Sequence, residues 1–142
     1  MAAKDVVYRY GTRLHTALFN ATRGKLFHRG RGMPMVRLTT IGRNSGQPRT
    51  IMATTPLQLG ETVILIASFG GDDREPQWCQ NIRVNGDVEL MVEGRSRRMH
   101  ARIANAEERA DLWPKVVAAH PFYGDYQNKT SREIPVVIFE PA

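Results

Sequence analysis

The stretch that decides the fold is residues 38–49, LTTIGRNSGQPR. Val36, Leu38 and Thr40 alternate into it and the β-branched pair Thr50-Ile51 leaves it, a period of two on each side of a polar turn. It reads as a strand, a tight turn and a second strand. Gly42 and Gly46 let the backbone turn sharply and bring N–H groups close to a ligand. Arg43, Asn44, Ser45 and Arg49 put two guanidinium groups, an amide and a hydroxyl around one point, a donor set suited to an anion and above all to a phosphate. The plain alternative is a hairpin with solvated arginines, which these residues by themselves favour.

Outward from this turn the period of two persists. Strands are expected at about 35–41, 49–57, 62–68, 88–92, 97–103 and 134–140, with hairpin turns at 59–61 and 93–96. Residues 63–67, VILIA, form a continuous apolar run, the pattern of a strand buried on both faces. Two helices interrupt the strands. One spans 76–84 and opens on a proline; the other spans 106–119, with Asn105 as N-cap and Glu108 three residues on, a capping-box pattern. Pro114 either kinks the second helix or begins its second half. Residues 120–126, HPFYGDY, form an aromatic loop or short helical turn. About six strands with two short helices imply an α+β protein whose antiparallel sheet curls into a barrel.

Length and charge set further bounds. A chain of 142 residues is long enough for one real core, and no apolar run reaches the length that spans a bilayer. The first 20 residues lack the apolar core of a secretory signal, and the single Cys79 excludes an internal disulfide; both point to the cytoplasm. The net charge of +6 is uneven: residues 1–37 hold eight basic groups against Asp5 alone, +7, and the remainder holds 12 basic and 13 acidic groups, −1. The chain therefore divides into residues 1–34, an amphipathic helix over 4–22 and a basic linker, and residues 35–142, the barrel. Such an arm suits an anionic partner: the inner face of a membrane, a nucleic acid or an acidic cofactor tail. The strands lack an exposed aromatic row for stacking bases, which argues against nucleic acid.

Familiar catalytic patterns are absent: no Walker loop, no G-x-G-x-x-G after a strand, no H-E-x-x-H and no paired cysteines, so no metal is expected. Two constellations join the opening turn. Ser68-Phe69-Gly70-Gly71 follows the buried strand, where paired glycines let a planar ligand approach the backbone. Trp78 and Asn81 share one helix face at i, i+3 and could wall a flat heteroaromatic ring; packing in the core is the commoner fate of such a pair. Together they outline one groove, with phosphate at the turn and a ring beside Ser68 and Trp78.

Four segments carry a family resemblance: LTTIGRNSGQPR, ASFGGDDREPQWCQN, EERADLWPKV and HPFYGDYQNKTSREIPVVIFEP. In order, they resemble the deazaflavin-dependent nitroreductase family, small FMN-binding-type split β-barrels that use coenzyme F420. The resemblance implies that Arg43, Asn44, Ser45 and Arg49 hold the phosphate and acidic tail of F420. It implies that Thr50, Ile51, Met52, Ala53 and Thr54 lie along the deazaflavin. Ile66, Ala67, Ser68, Phe69, Gln77, Trp78, Cys79, Gln80 and Asn81 would form the remaining walls of the ring site. Phe69, His120, Tyr123 and Tyr126 would meet the substrate, with Tyr123 and Tyr126 as candidate catalytic residues for positioning and proton donation. Some relatives carry lysine at Asn44 and at Phe69 and tyrosine at His120, positions that set substrate range. The implied activity is hydride transfer from F420H2 to an activated C=C bond, a quinone or a nitroaromatic, by a monomer or weak homodimer. The alternatives are an FMN-binding split-barrel oxidoreductase and a nonenzymatic binder led by the basic arm.

Overall fold

A computed structural model describes residues 29–30 and 32–142 of the chain. The helix expected over 4–22 and most of the linker lie outside the described residues. The strands are β1 (Arg29–Gly30), β2 (Met33–Ile41), β3 (Pro48–Thr54), β4 (Leu57–Leu59), β5 (Thr62–Ile66), β6 (Asp87–Val92), β7 (Arg95–Ile103) and β8 (Val136–Pro141). Helices α1 (Gln77–Val84), α2 (Ala106–Ala119) and α3 (Phe122–Asn128) are peripheral, and a 3-10 turn covers Phe69–Gly71. β1 and the start of β2 place part of the expected linker in the sheet, with Arg29 opposite Pro34 and Gly30 opposite Met33.

Every pairing is antiparallel, in the order β3-β2-β6-β7-β8-β5-β4. The two ends of that ladder, β3 and β4, are separated in sequence by Thr55 and Pro56 alone, so the sheet must curl until its edges meet. Thr55 makes the corner. Its N–H donates to Pro34 O (3.0 Å), and its buried hydroxyl lies 2.7 Å from Ile64 O and 3.0 Å from Leu57 O. The ladder nevertheless stays open among the described residues, with eight strands where about six closing into a barrel were expected. The single strand expected over 49–57 breaks at Pro56, which has no N–H to continue the ladder, and the chain then crosses to β5.

Alternation along β5 and β8 builds two cores. Val63, Leu65, Ala67, Val137 and Phe139 point into the curl, where they meet Val36, Leu38, Leu90 and Met99, and α1 closes it with Trp78, Cys79 and Ile82. Ile64, Ile66, Val136 and Ile138 face the other way, onto Leu112 and Val116 of α2 and Tyr123 of α3. The apolar run VILIA is therefore buried on both faces. Burying each large side chain contributes roughly 1.5–3 kcal/mol. The capping box forms at α2: Asn105 Oδ1 accepts from Glu108 N (2.8 Å) and Glu108 Oε1 accepts from Asn105 N (3.0 Å). The helix runs through Pro114. The β6–β7 hairpin closes on Glu93 and Gly94, with φ of 51° and 82°, a two-residue turn of the kind that matches strand twist.

Candidate functional site

The opening turn spans residues 42–47, between the paired Ile41 and Pro48. Gly42 N donates to Gln47 O (2.8 Å) and Gly46 N to Gly42 O (2.8 Å). Ser45 Oγ accepts from Gln47 N (3.1 Å). A Cβ built on Gly42 would lie 2.6 Å from Ser45 Oγ and 3.4 Å from Arg49 Cγ, so these two side chains converge over the glycine. Asn44, Ser45 and Arg49 are exposed. The result is a solvent-open cradle rich in hydrogen-bond donors.

Asn81 ties this turn to α1. Its Oδ1 accepts from Arg43 N (3.2 Å) and Arg43 Nη1 (2.9 Å), and its Nδ2 donates to the buried Thr40 Oγ1 (3.1 Å). Asn81 is 4% exposed, and its Oδ1 uses both acceptor positions on Arg43. Trp78, one turn earlier, packs in the core with its ring 6.5 Å from that of Phe139, and only 8% of its surface is exposed. Cys79 is fully buried, and burial, aided by the charge of Glu75, pushes its thiol up to about 12; it is a packing group without thiolate character. Gln80 Nε2 donates to Glu75 O (2.9 Å) and Gln77 is exposed. The bidentate bond from Arg83 holds the Glu75 carboxyl below the usual range.

The five β3 residues from Thr50 to Thr54 divide between two faces. Ile51 and Ala53 pack toward the first core, opposite Leu38 and Val36. Thr50, Met52 and Thr54 lie on the other side, where Thr50 Oγ1 is 2.8 Å from Thr39 Oγ1 and Met52 is buried with Met35 and Met91. Period two forbids all five from lining one ligand face.

Ile66 and Ala67 are buried, and Ser68 leads into the 3-10 turn. Phe69, Gly70 and Gly71 have φ of 47°, 65° and 84°, three successive left-handed residues. A Cβ on Gly71 would sit 2.8 Å from Tyr126 O, so the turn is pressed onto α3. On α3, Tyr123 is 4% exposed and its hydroxyl donates to Met33 Sδ (3.7 Å). Tyr126 is half-buried, its ring 5.5 Å from that of Phe122 and 6.0 Å from that of Tyr123. His120, also half-buried, stands 5.9 Å from Phe122 and 6.4 Å from Tyr123.

Sequence reasoning missed Arg132. Its Nε donates to Asp72 O (2.9 Å), and its Nη2 donates to Ser68 O (2.9 Å) and Ala67 O (3.2 Å). Nη1 is buried without a hydrogen-bond partner. The one available signal was an arginine two residues before the apolar run IPVVIF. Among the described residues no group of His, Cys, Asp or Glu could hold a metal. A depression of about 250 Å³, lined by Ile64, Leu112 and Ile138 and rimmed by Arg102, Glu108 and Glu140, shares none of the site residues named above.

A family model described as F420H(2)-dependent quinone reductase matches residues 11–141. The chain belongs to this family. It is an oxidoreductase whose cofactor is coenzyme F420 in its reduced form, in place of the FMN or nonenzymatic alternatives. An F420H(2)-dependent quinone reductase of Mycobacterium tuberculosis is 37% identical over 130 residues, covering 89% of this chain and 87% of the relative. A solved F420-H2 dependent reductase is 35% identical, with a TM-score of 0.68 over 75% of this chain and 94% of that one. A solved chain described as a domain-swapped dimer is 31% identical, with a TM-score of 0.71 over 98% of this chain and 100% of that one. The turn fits an acidic coenzyme: Ser45 and Arg49 converge over a glycine that leaves no space for a Cβ, and residues 42–49 hold no acidic side chain.

Proposed function

We propose that this enzyme uses reduced F420 to reduce a quinone-class acceptor, with activated C=C and nitroaromatic compounds as further acceptors. One observation carries the reading: Asn81 joins the donor-rich turn to the helix that bears Trp78, which holds the anion cradle next to the candidate ring wall. Arg43, Asn44, Ser45 and Arg49 would hold the phosphate and tail. Ile51 and Ala53, with Ser68, Phe69 and Trp78, would flank the ring. The link of two residues between the ladder ends supports a split-barrel architecture of the FMN-binding type.

Bound at this site, reduced F420 supplies a hydride from C5 of the deazaflavin. The protein binds and orients. A quinone that gains a hydride also needs a proton to become a hydroquinone. Tyr126 is the better placed phenol, because it is half-buried on the helix against which the Ser68–Gly71 turn packs. Tyr123 keeps its hydroxyl on Met33 and serves to position the aromatic cluster. His120 and Phe69 complete the acceptor side. The +7 charge of residues 1–37 favours the acidic tail or an anionic membrane face. No helix of the described residues is long and apolar enough to cross a membrane.

The test is a spectroscopic titration with F420, followed by oxidation of F420H2 with menadione, an enone and a nitroaromatic. Binding at micromolar protein with menadione as the fastest acceptor is expected. Absence of binding at that concentration would overturn the assignment of the site.

A further inference from the structure

Arg132 holds the Ser68–Asp72 segment by its backbone carbonyls. Its guanidinium spans the carbonyls of Ala67, Ser68 and Asp72 at 3.2, 2.9 and 2.9 Å. The segment it grips is conformationally expensive. Phe69 is a non-glycine residue at φ 47°, followed by two glycines also at positive φ, and such residues persist only where the surroundings hold them. α3 fixes the same turn through the close approach of Gly71 to Tyr126 O. Arg74 adds a cation over the Phe69 ring at 5.5 Å. Arg132 caps three carbonyls of this segment. The planar fork of arginine can span them, whereas the single nitrogen of lysine cannot.

We infer that Arg132 is a positioning residue for the cofactor: by fixing Ser68–Asp72 it sets where Phe69 and the adjacent backbone stand against the ring. This rests on the proposed placement of the ring beside Ser68 and Phe69. Arg132 does not itself touch the reacting atoms. It acts through a strained turn that also packs on α3, the helix bearing Tyr126, so cofactor placement and acceptor placement depend on one clamp.

The experiment compares Arg132→Lys and Arg132→Met with Arg102→Met. Arg102 donates three bonds to Glu108 and Glu140 at the rim of the separate depression and so controls for general loss of stability. Three readouts are taken on the full chain: F420 affinity by absorbance titration, amide hydrogen exchange and thermal unfolding. Both Arg132 variants are expected to weaken F420 binding about tenfold or more, the order that follows from two or three lost backbone bonds. Exchange should rise at residues 67–72 while the rest of the sheet stays protected. Arg102→Met should bind F420 within about twofold of the wild type, as expected for loss of a surface ion pair. The milder Arg132→Lys covers the case in which Arg132→Met fails to fold. Wild-type affinity in Arg132→Lys, or equal losses in the Arg102 control, overturns the inference. If the wild-type chain itself fails to bind F420, the placement of the ring fails and the inference with it.

Discussion

Asn81→Ala removes the bolt between the turn and α1. Three hydrogen bonds are lost: one from Arg43 N, one charge-assisted from Arg43 Nη1 and one to Thr40. Two ordinary bonds at about 1 kcal/mol each and one to a charged group at about 2 kcal/mol give about 4 kcal/mol. Arg43 is half-buried and regains part of this from water, which leaves about 3 kcal/mol. For a chain of this size that is a fall in Tm of about 10 °C. Asn81→Asp separates stability from binding. The carboxylate still accepts from Arg43, and the Thr40 hydroxyl can turn to donate to it, so Tm should fall by no more than about 3 °C. The new negative charge beside the turn opposes an incoming phosphate by about 1–2 kcal/mol, roughly tenfold in Kd. The assay is thermal unfolding beside F420 titration for both variants. Wild-type Kd in Asn81→Asp would refute the reasoning, because the cofactor tail would then lie elsewhere.

Arg49→Ala should raise the Kd for F420 about tenfold to a hundredfold, the weight of a charge-assisted bond, while the ranking of acceptors in F420H2 oxidation stays unchanged. Tyr126→Phe should slow turnover of menadione about tenfold or more if its phenol delivers the proton. Tyr123→Phe should instead leave turnover near wild type and cost about 1 kcal/mol in urea unfolding, because the sulfur of Met33 that its hydroxyl meets is a weak acceptor. Glu108 is held at about 2, first by hydrogen bonds from Arg102 and then by the Asn105 N–H. This is a lowered folded-state value, so its contribution is present above the ordinary carboxylate range and is lost as pH falls from about 4.5 toward about 2. Solvent screening at this partly exposed pair reduces the effect, and Glu108→Gln should cost about 1 kcal/mol at pH 7 and nothing near pH 2, measured by urea unfolding at both.

What the sequence disclosed was local. Period two located the strands, and Asn105 with Glu108 placed the start of α2 because a capping box is made within four residues. Pro56 was read as part of one strand over 49–57, because the crossing to β5 depends on the bond from Thr55 to Ile64 O, a partner nine residues on. The shared face of Trp78 and Asn81 was legible, but the partners of Asn81 lie 38 and 41 residues away. Arg132 was missed for the same reason, since its carbonyl partners are 60 to 65 residues distant. The grouping of Thr50 to Thr54 as one ligand wall came from resemblance, and the alternation of the strand divides it.

The two-sided burial of β5 and β8 gives this small enzyme an unusual freedom to vary. Each strand carries two interleaved messages. Val63, Leu65, Val137 and Phe139 answer to the core closed by Trp78, and Ile64, Ile66, Val136 and Ile138 answer to the core under Tyr123. On the proposed placement of coenzyme and acceptor, substitutions in one set would reshape the half under the aromatic cluster while the other set kept the half closed by Trp78. Acceptor choice and coenzyme binding would then be tunable apart.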